Sequence, residues 1–207
     1  EVAQLLTMTA DDIDFSADLT SVDFALPTLF SSRRFASQAG WDQYFGYGRA
    51  NAARALTAVA TGALPPEADL LEPDWWTILD PERTPQVTVT GSAAAVHAPS
   101  FDYELAFGCG VQPTDDAWTP ITTMAGLRAQ VAGAPLGTWS VTDAALHCAI
   151  DPGAVASSAP SGTPSPDNTP DAFTVTLRLR VAPGATLEDR ISDAIEARQP
   201  VALFGDY

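Results

Sequence analysis

The sequence predicts an α+β chain: a helical front third followed by an antiparallel β-sandwich-like domain. Three observations carry that expectation. Apolar residues recur at helical spacing before Gly62, prolines crowd the next twenty residues, and from Gln86 onward the hydrophobic period changes to two. The boundaries that follow are 1–62 for the helical part, 63–84 for a Pro/Trp connector and 85–207 for the β-rich domain.

In the front part, Val2, Leu5, Leu6 and Thr9 share one helix face. The stretch from Asp11 to Gln43 has little period and reads mostly as loop, with Asp11 and Asp12 ending or capping the first helix. Helical spacing returns at Ala52, Ala55, Leu56 and Val59, with Asn51 as N-cap and Gly62 as the residue that stops it. In the connector, Pro65, Pro66, Pro73 and Pro81 forbid a continuous helix, and Trp75-Trp76 reads as a plug between two domains, with a ligand platform as the alternative.

Strand patterns fill the rest. Phe101, Tyr103, Leu105 and Phe107 alternate with Asp102, Glu104 and Ala106. Phe173, Val175, Leu177, Leu179 and Val181 alternate with Thr174, Thr176, Arg178 and Arg180. Such strands have one apolar face and one wet face. Shorter strands are expected at 118–122, 138–141 and 145–150, and several short strands separated by turns point to a sandwich. Residues 151–172 carry five prolines among Ser, Thr and Gly and read as a long loop. Helical spacing at Leu187, Ile191, Ala194 and Ile195 is followed by a final strand at 201–204.

Composition narrows the function. The 207 residues carry 26 acidic side chains against 10 basic ones, for a net charge of −16. Every basic residue is Arg, and the imbalance is equal on both sides of Thr84. Such a surface repels nucleic-acid phosphates and anionic lipid, so no nucleic-acid partner is expected. No apolar run approaches the ~20 residues of a membrane helix, so no membrane span is expected either. A solvated acidic surface accounts for the carboxylates; calcium is the one ion they could take, and no cofactor is required. Two cysteines, Cys109 and Cys148, have no C-x-x-C spacing, and two histidines are too few for an obvious zinc site. In a secreted protein they would form a disulfide, and otherwise two separate buried thiols.

No residue is assigned a catalytic, cofactor-binding or metal-binding role. His97 and His147 both read as ordinary strand residues. Ser92 in Thr90-Gly91-Ser92-Ala93-Ala94 lies in a strand pattern and lacks the helix that follows a nucleophile turn. Gly46-Tyr47-Gly48 has neither the preceding strand nor the third glycine of a phosphate loop. Asp11, Asp12, Asp14 and Asp18 lack the spacing and central glycine of an EF-hand.

Two motifs in the front part resemble a known family. The run Gly40-Trp41-Asp42-Gln43-Tyr44-Phe45-Gly46-Tyr47-Gly48-Arg49-Ala50-Asn51-Ala52-Ala53-Arg54-Ala55 is similar to the entry into the last helix of a subtilisin-like catalytic domain. Glu1-Val2-Ala3-Gln4-Leu5-Leu6, followed by Thr9-Ala10-Asp11-Asp12-Ile13, resembles the helix and its exit that lie one helix after the serine nucleophile. Less specifically, Pro66-Glu67-Ala68-Asp69, Trp75-Trp76, the Val-Thr-Val-Thr-Gly strand and Phe101-Asp102-Tyr103 resemble the β-rich extension of some bacterial secreted members.

The resemblance implies that residues 1–62 are the terminal helices of a subtilisin-like α/β domain. The family's Asp, His, Ser and oxyanion Asn belong to motifs upstream of the matched ones, so no catalytic residue is transferred. It implies an extracellular protein and a parent endopeptidase acting on protein or peptide substrate. The partner would be the N-terminal part of that peptidase or another copy of the chain. The rival expectation is a non-catalytic extracellular β-sandwich module that binds a peptide or glycan.

Overall fold

The computed structural model describes residues 2–13, 45–62, 64–111, 113–114, 116–150, 173–184 and 195–203. Most of the loop expected between Asp11 and Gln43 lies outside these residues. So do the Pro-rich stretch 151–172 and the helical spacing from Leu187 to Ala194. The chain divides into two compact units, Glu1–Pro65 and Pro66–Tyr207.

The first unit holds α1 (Val2–Met8) and α2 (Ala52–Ala60). Asn51 caps α2 as its sequence position implies: its side-chain oxygen accepts from Arg54 N at 3.0 Å. At the other end Gly62 takes φ +74°, a left-handed conformation that glycine adopts without strain, and its N–H donates to the Val59 carbonyl. Apolar side chains on both helices stay exposed: Val2, Leu6, Leu56 and Val59 are 72%, 39%, 71% and 48% accessible.

The second unit is β-rich. Its strands are β1 (Glu67–Glu72), β2 (Ile78–Leu79), β3 (Gln86–Ala94), β4 (Phe101–Cys109), β5 (Thr119–Leu127), β6 (Val131–Ser140), β7 (Thr174–Pro183) and β8 (Ile195–Leu203). One sheet has the order β1-β3-β6 and the other β2-β8-β7-β4-β5. All neighbours are antiparallel except β2 and β8, so the larger sheet is mixed.

One hydrophobic core serves both sheets. Val89, Ala93, Leu136 and Trp139 from the smaller sheet join Leu105, Leu177, Leu179 and Val201 from the larger one, all at most 2% exposed. Burial of each large aliphatic is worth roughly 1.5–3 kcal/mol, and the alternation on β4 and β7 supplies them at every second position. The Tyr103 hydroxyl donates to the Leu136 carbonyl at 3.0 Å, a polar tie from β4 to β6 through an apolar interior.

Three details differ from the sequence reading. Residues 63–84 contribute β1 and β2 to the sheets, because their prolines bound the strands rather than interrupt them. Pro65 and Pro66 precede β1, and Pro73 follows it. Residues 141–147 form a helix, α3 (Val141–His147), where a strand over 145–150 is expected. Ser140 caps it by accepting from Asp143 N at 3.2 Å, and Val141, Ala144 and Ala145 bury one face at i, i+3 and i+4. Ile195 opens β8, so the helical spacing assigned to it gives way to sheet pairing with Val181.

Candidate functional site

In the first unit the polar contacts converge on Asp11. Its backbone exchanges two hydrogen bonds with Arg49, Asp11 N to Arg49 O at 2.7 Å and Arg49 N to Asp11 O at 2.8 Å. Its carboxylate accepts from Asn51 Nδ2 at 3.0 Å, and Arg49 and Arg54 guanidinium nitrogens lie at 3.3 and 3.4 Å. Arg54 also donates to the Ala10 carbonyl at 3.0 Å. The hydrogen bond from Asn51, followed by that from Arg49, holds the Asp11 carboxyl below its ordinary value. Gly48, at φ +97°, lies against the Asp11 carbonyl where any Cβ would collide. Beside this node a shallow open groove is lined by Met8, Thr9, Asn51, Arg54, Thr57 and Thr61.

Sequence reasoning placed Asp11 as a helix terminator and missed this arrangement. Asp11 and the residues that meet it, Gly48, Arg49, Asn51 and Arg54, stand about forty residues apart, and no period in the sequence joins them.

In the β-rich unit the outer face of the larger sheet is not wet. Thr174, Thr176 and Arg178 on β7 are buried, as are Asp102 on β4 and Arg198 on β8. Asp102 accepts from Gly126 N of β5 at 2.7 Å, and residues after β4 lie over Thr174, Thr176, Arg178 and Arg198. Thr176 Oγ1 donates to the Gly110 carbonyl at 2.8 Å, Pro113 sits against Gly108 where a Cβ would meet it at 2.6 Å, and the Trp118 ring lies 4.2 Å from the Arg178 guanidinium. Arg198 stands over the same ring at 5.2 Å. Arg178 also pairs with Glu104 at 3.0 Å, and Arg198 with Glu196 at 2.6 Å. Burial pulls the Arg178 pKa below its ordinary value, against the opposing pull of Glu196 and Glu104. Two guanidiniums, two carboxylates and an indole therefore form one balanced cluster under a lid of loop.

Cys109 and Cys148 are brought together. They form a disulfide with a Cα–Cα distance of 5.4 Å, joining the end of β4 to the C-cap of α3. The histidines and the serine stay apart. Ser92 lies on β3, and its Oγ accepts from Gly133 N at 3.1 Å. His147 closes α3, not a strand; its Nε2 is 3.3 Å from Thr119 Oγ1 and its ring meets Phe107 edge-on. His97 sits in the turn between β3 and β4. Among the described residues, no three His, Cys, Asp or Glu side chains cluster to hold a metal ion. None of the described helices is long and apolar enough to cross a membrane.

No family model matches this sequence, and none of the curated proteins does. The site must therefore be read from its own geometry.

A third feature lies on the strand-to-strand turn between β1 and β2. Trp75 and Trp76 are 50% and 45% exposed, with Leu71 and Ile78 also open to solvent. Trp75 N donates to Asp74 Oδ1 at 2.7 Å, Thr77 N to the Asp74 carbonyl at 3.0 Å, and Trp76 N to Pro200 O at 2.9 Å. Trp76 itself has φ +57°.

Proposed function

We propose that the chain is the C-terminal part of a secreted subtilisin-like serine endopeptidase, non-catalytic on its own. The observation that carries this reading is the Asp11 node. Two motifs that resemble successive parts of that family lie about forty residues apart, and their polar residues meet at one carboxylate. A chance likeness in two short stretches gives no reason for Asp11 to be bound by Arg49, Asn51 and Arg54 together, or for Gly48 to make room for its backbone.

The reading also accounts for the apolar side chains left open on α1 and α2. Helices of seven and nine residues are marginal alone in water, and in the family such helices cover one face of a parallel sheet. The N-terminal part of the same peptidase, or a second copy of the chain, would supply that cover. The parent would hydrolyse protein or peptide substrate through a serine acyl-enzyme, with the chain contributing scaffold: Gly46 and Gly48 for the turn, the two helices for packing. The disulfide fits an oxidising, extracellular setting.

Amide hydrogen exchange on the purified chain tests the reading, combined with intact mass and gel analysis for a co-purifying N-terminal piece. The expected result is weak protection over α1 and α2 unless that piece or a second copy is bound. A fluorophosphonate probe is expected to label no serine. Strong, uniform protection across both helices in a partner-free monomer would overturn the reading, as would labelling of one serine that is lost on its replacement by alanine.

A further inference from the structure

The tryptophan pair between β1 and β2 calls for its own account. Tryptophan carries the largest apolar surface of any side chain and is highly buried on average, yet both indoles here are about half exposed. Their backbone is braced. Asp74 holds Trp75 and Thr77 from one side, and β8 holds the turn from the other through Pro200 O and the bond from Ala202 N to Thr77 O at 3.0 Å. Trp76 is kept at φ +57°, a left-handed conformation that strains a bulky L-residue and persists only where the surroundings enforce it. The fold thus fixes two exposed indoles rather than burying them.

Charge says what they would hold. From Gly62 to Glu82 the chain has six carboxylates and no basic residue. Glu72 and Asp74, at the two acidic positions before the indoles, are exposed and pair with no cation among the described residues. Asp74 uses only Oδ1 on Trp75 N, which leaves Oδ2 for a ligand. An indole face attracts cations, and a planar guanidinium can stack on it while its N–H groups reach a carboxylate. The same chemistry is already built inside the molecule, where Arg178 lies over Trp118 and pairs with Glu104. There the arginine is internal; at Trp75-Trp76 the aromatic and acidic components are present, and among the described residues no guanidinium stands over either indole.

We propose that Trp75 and Trp76, with Asp74 and Glu72, form a docking site for an arginine-bearing polypeptide segment. The site lies wholly within the β-rich unit and does not depend on the peptidase reading.

The test uses the full chain, labelled with nitrogen-15, and follows its indole N–H resonances. The probe is an acetylated, amidated Gly-Arg-Gly-Arg-Gly peptide. The same peptide with citrulline for arginine and a neutral glucan hexasaccharide serve as comparisons. The arginine peptide is expected to shift the Trp75 and Trp76 resonances saturably, and neither comparison ligand to do so. Trp75→Ala, and separately Trp76→Gly, which also relieves the positive φ, should each weaken binding about fivefold, since an exposed cation–π contact is worth ~1 kcal/mol. Both variants keep the net charge, so general attraction to an acidic surface would leave affinity unchanged. Unchanged affinity in both would overturn the proposal. So would equal binding of the citrulline peptide or the hexasaccharide, or the absence of any indole shift in the unsubstituted chain.

Discussion

The side chain of Asn51 works in two directions at once: its oxygen caps α2 through Arg54 N at 3.0 Å, and its nitrogen donates to Asp11 Oδ1 at 3.0 Å. One amide thus ties the start of α2 to the segment leaving α1. Exchange of Asn51 for Asp would keep the cap and reverse the second contact, placing two carboxylates face to face.

Asp11 makes the first unit sensitive to acid. Its folded-state pKa is depressed below 3.8 by the Asn51 hydrogen bond and then the Arg49 one. A depressed carboxylate contributes stability that is present above the unfolded value and lost as pH falls through the folded one. The Arg49 and Arg54 amide resonances should therefore move together as pH drops below 3.8. In Asp11→Asn that titration should vanish, and the Arg49 amide should exchange faster at neutral pH.

The Cys109–Cys148 bond closes a loop of 39 residues that includes β5, β6 and α3. In the chain-entropy account a loop of that size contributes on the order of 3–4 kcal/mol. Urea unfolding with and without a strong reductant should show an unfolding free energy lower by that amount, read from the midpoint and slope, with both sheets still formed in the reduced protein.

Arg178 should be costly to remove and cheaper to replace by an apolar side chain of similar length. Arg178→Ala leaves Glu104 without its partner and empties the space beneath Trp118; since Glu104 keeps 23% exposure, the cost is about 2–3 kcal/mol, below that of a fully buried pair. Arg178→Met fills the space, and Arg178→Met with Glu104→Gln removes the orphaned charge as well. Equilibrium denaturation should rank the three in that order, with the double variant nearest the parent.

Ala149 offers a gain. It takes φ +52° one residue past the α3 C-cap, with Ala149 N donating to Leu146 O at 3.2 Å and Ile150 N to Ala145 O at 2.9 Å. That is the helix-ending position glycine normally fills. Ala149→Gly should raise stability by about 0.5–1 kcal/mol, read as a higher melting temperature, since relief of the left-handed strain exceeds the added chain entropy.

How much could be read in advance depended on whether the cause was local. The alternation on β4 and β7, the Asn51 cap and the Gly62 stop are local signals, and each appears in the fold. Two cysteines leave a single possible bridge, and the structure decides for it over two separate thiols. The strand expected at 145–150 fails because a short apolar run fits helix and strand alike; the Ser140 to Asp143 capping spacing was the better guide. The outer face of β7 looked wet because its cover, Trp118, lies sixty residues away in sequence and no period reveals it. The Asp11 node is likewise non-local, and no local period brings Asp11 together with Arg49, Asn51 and Arg54.

The two arginines on the outer face of the larger sheet also govern how β7 and β8 can be assembled. Arg178 sits opposite Arg198, with Leu177 opposite Gln199 and Leu179 opposite Ala197. A slip of one residue along the ladder exchanges the two faces of a strand. It would carry a guanidinium into the aliphatic interior and expose leucines to the loop above. Neighbouring alignments are thereby closed off, and the strands behave as a keyed joint with one seating.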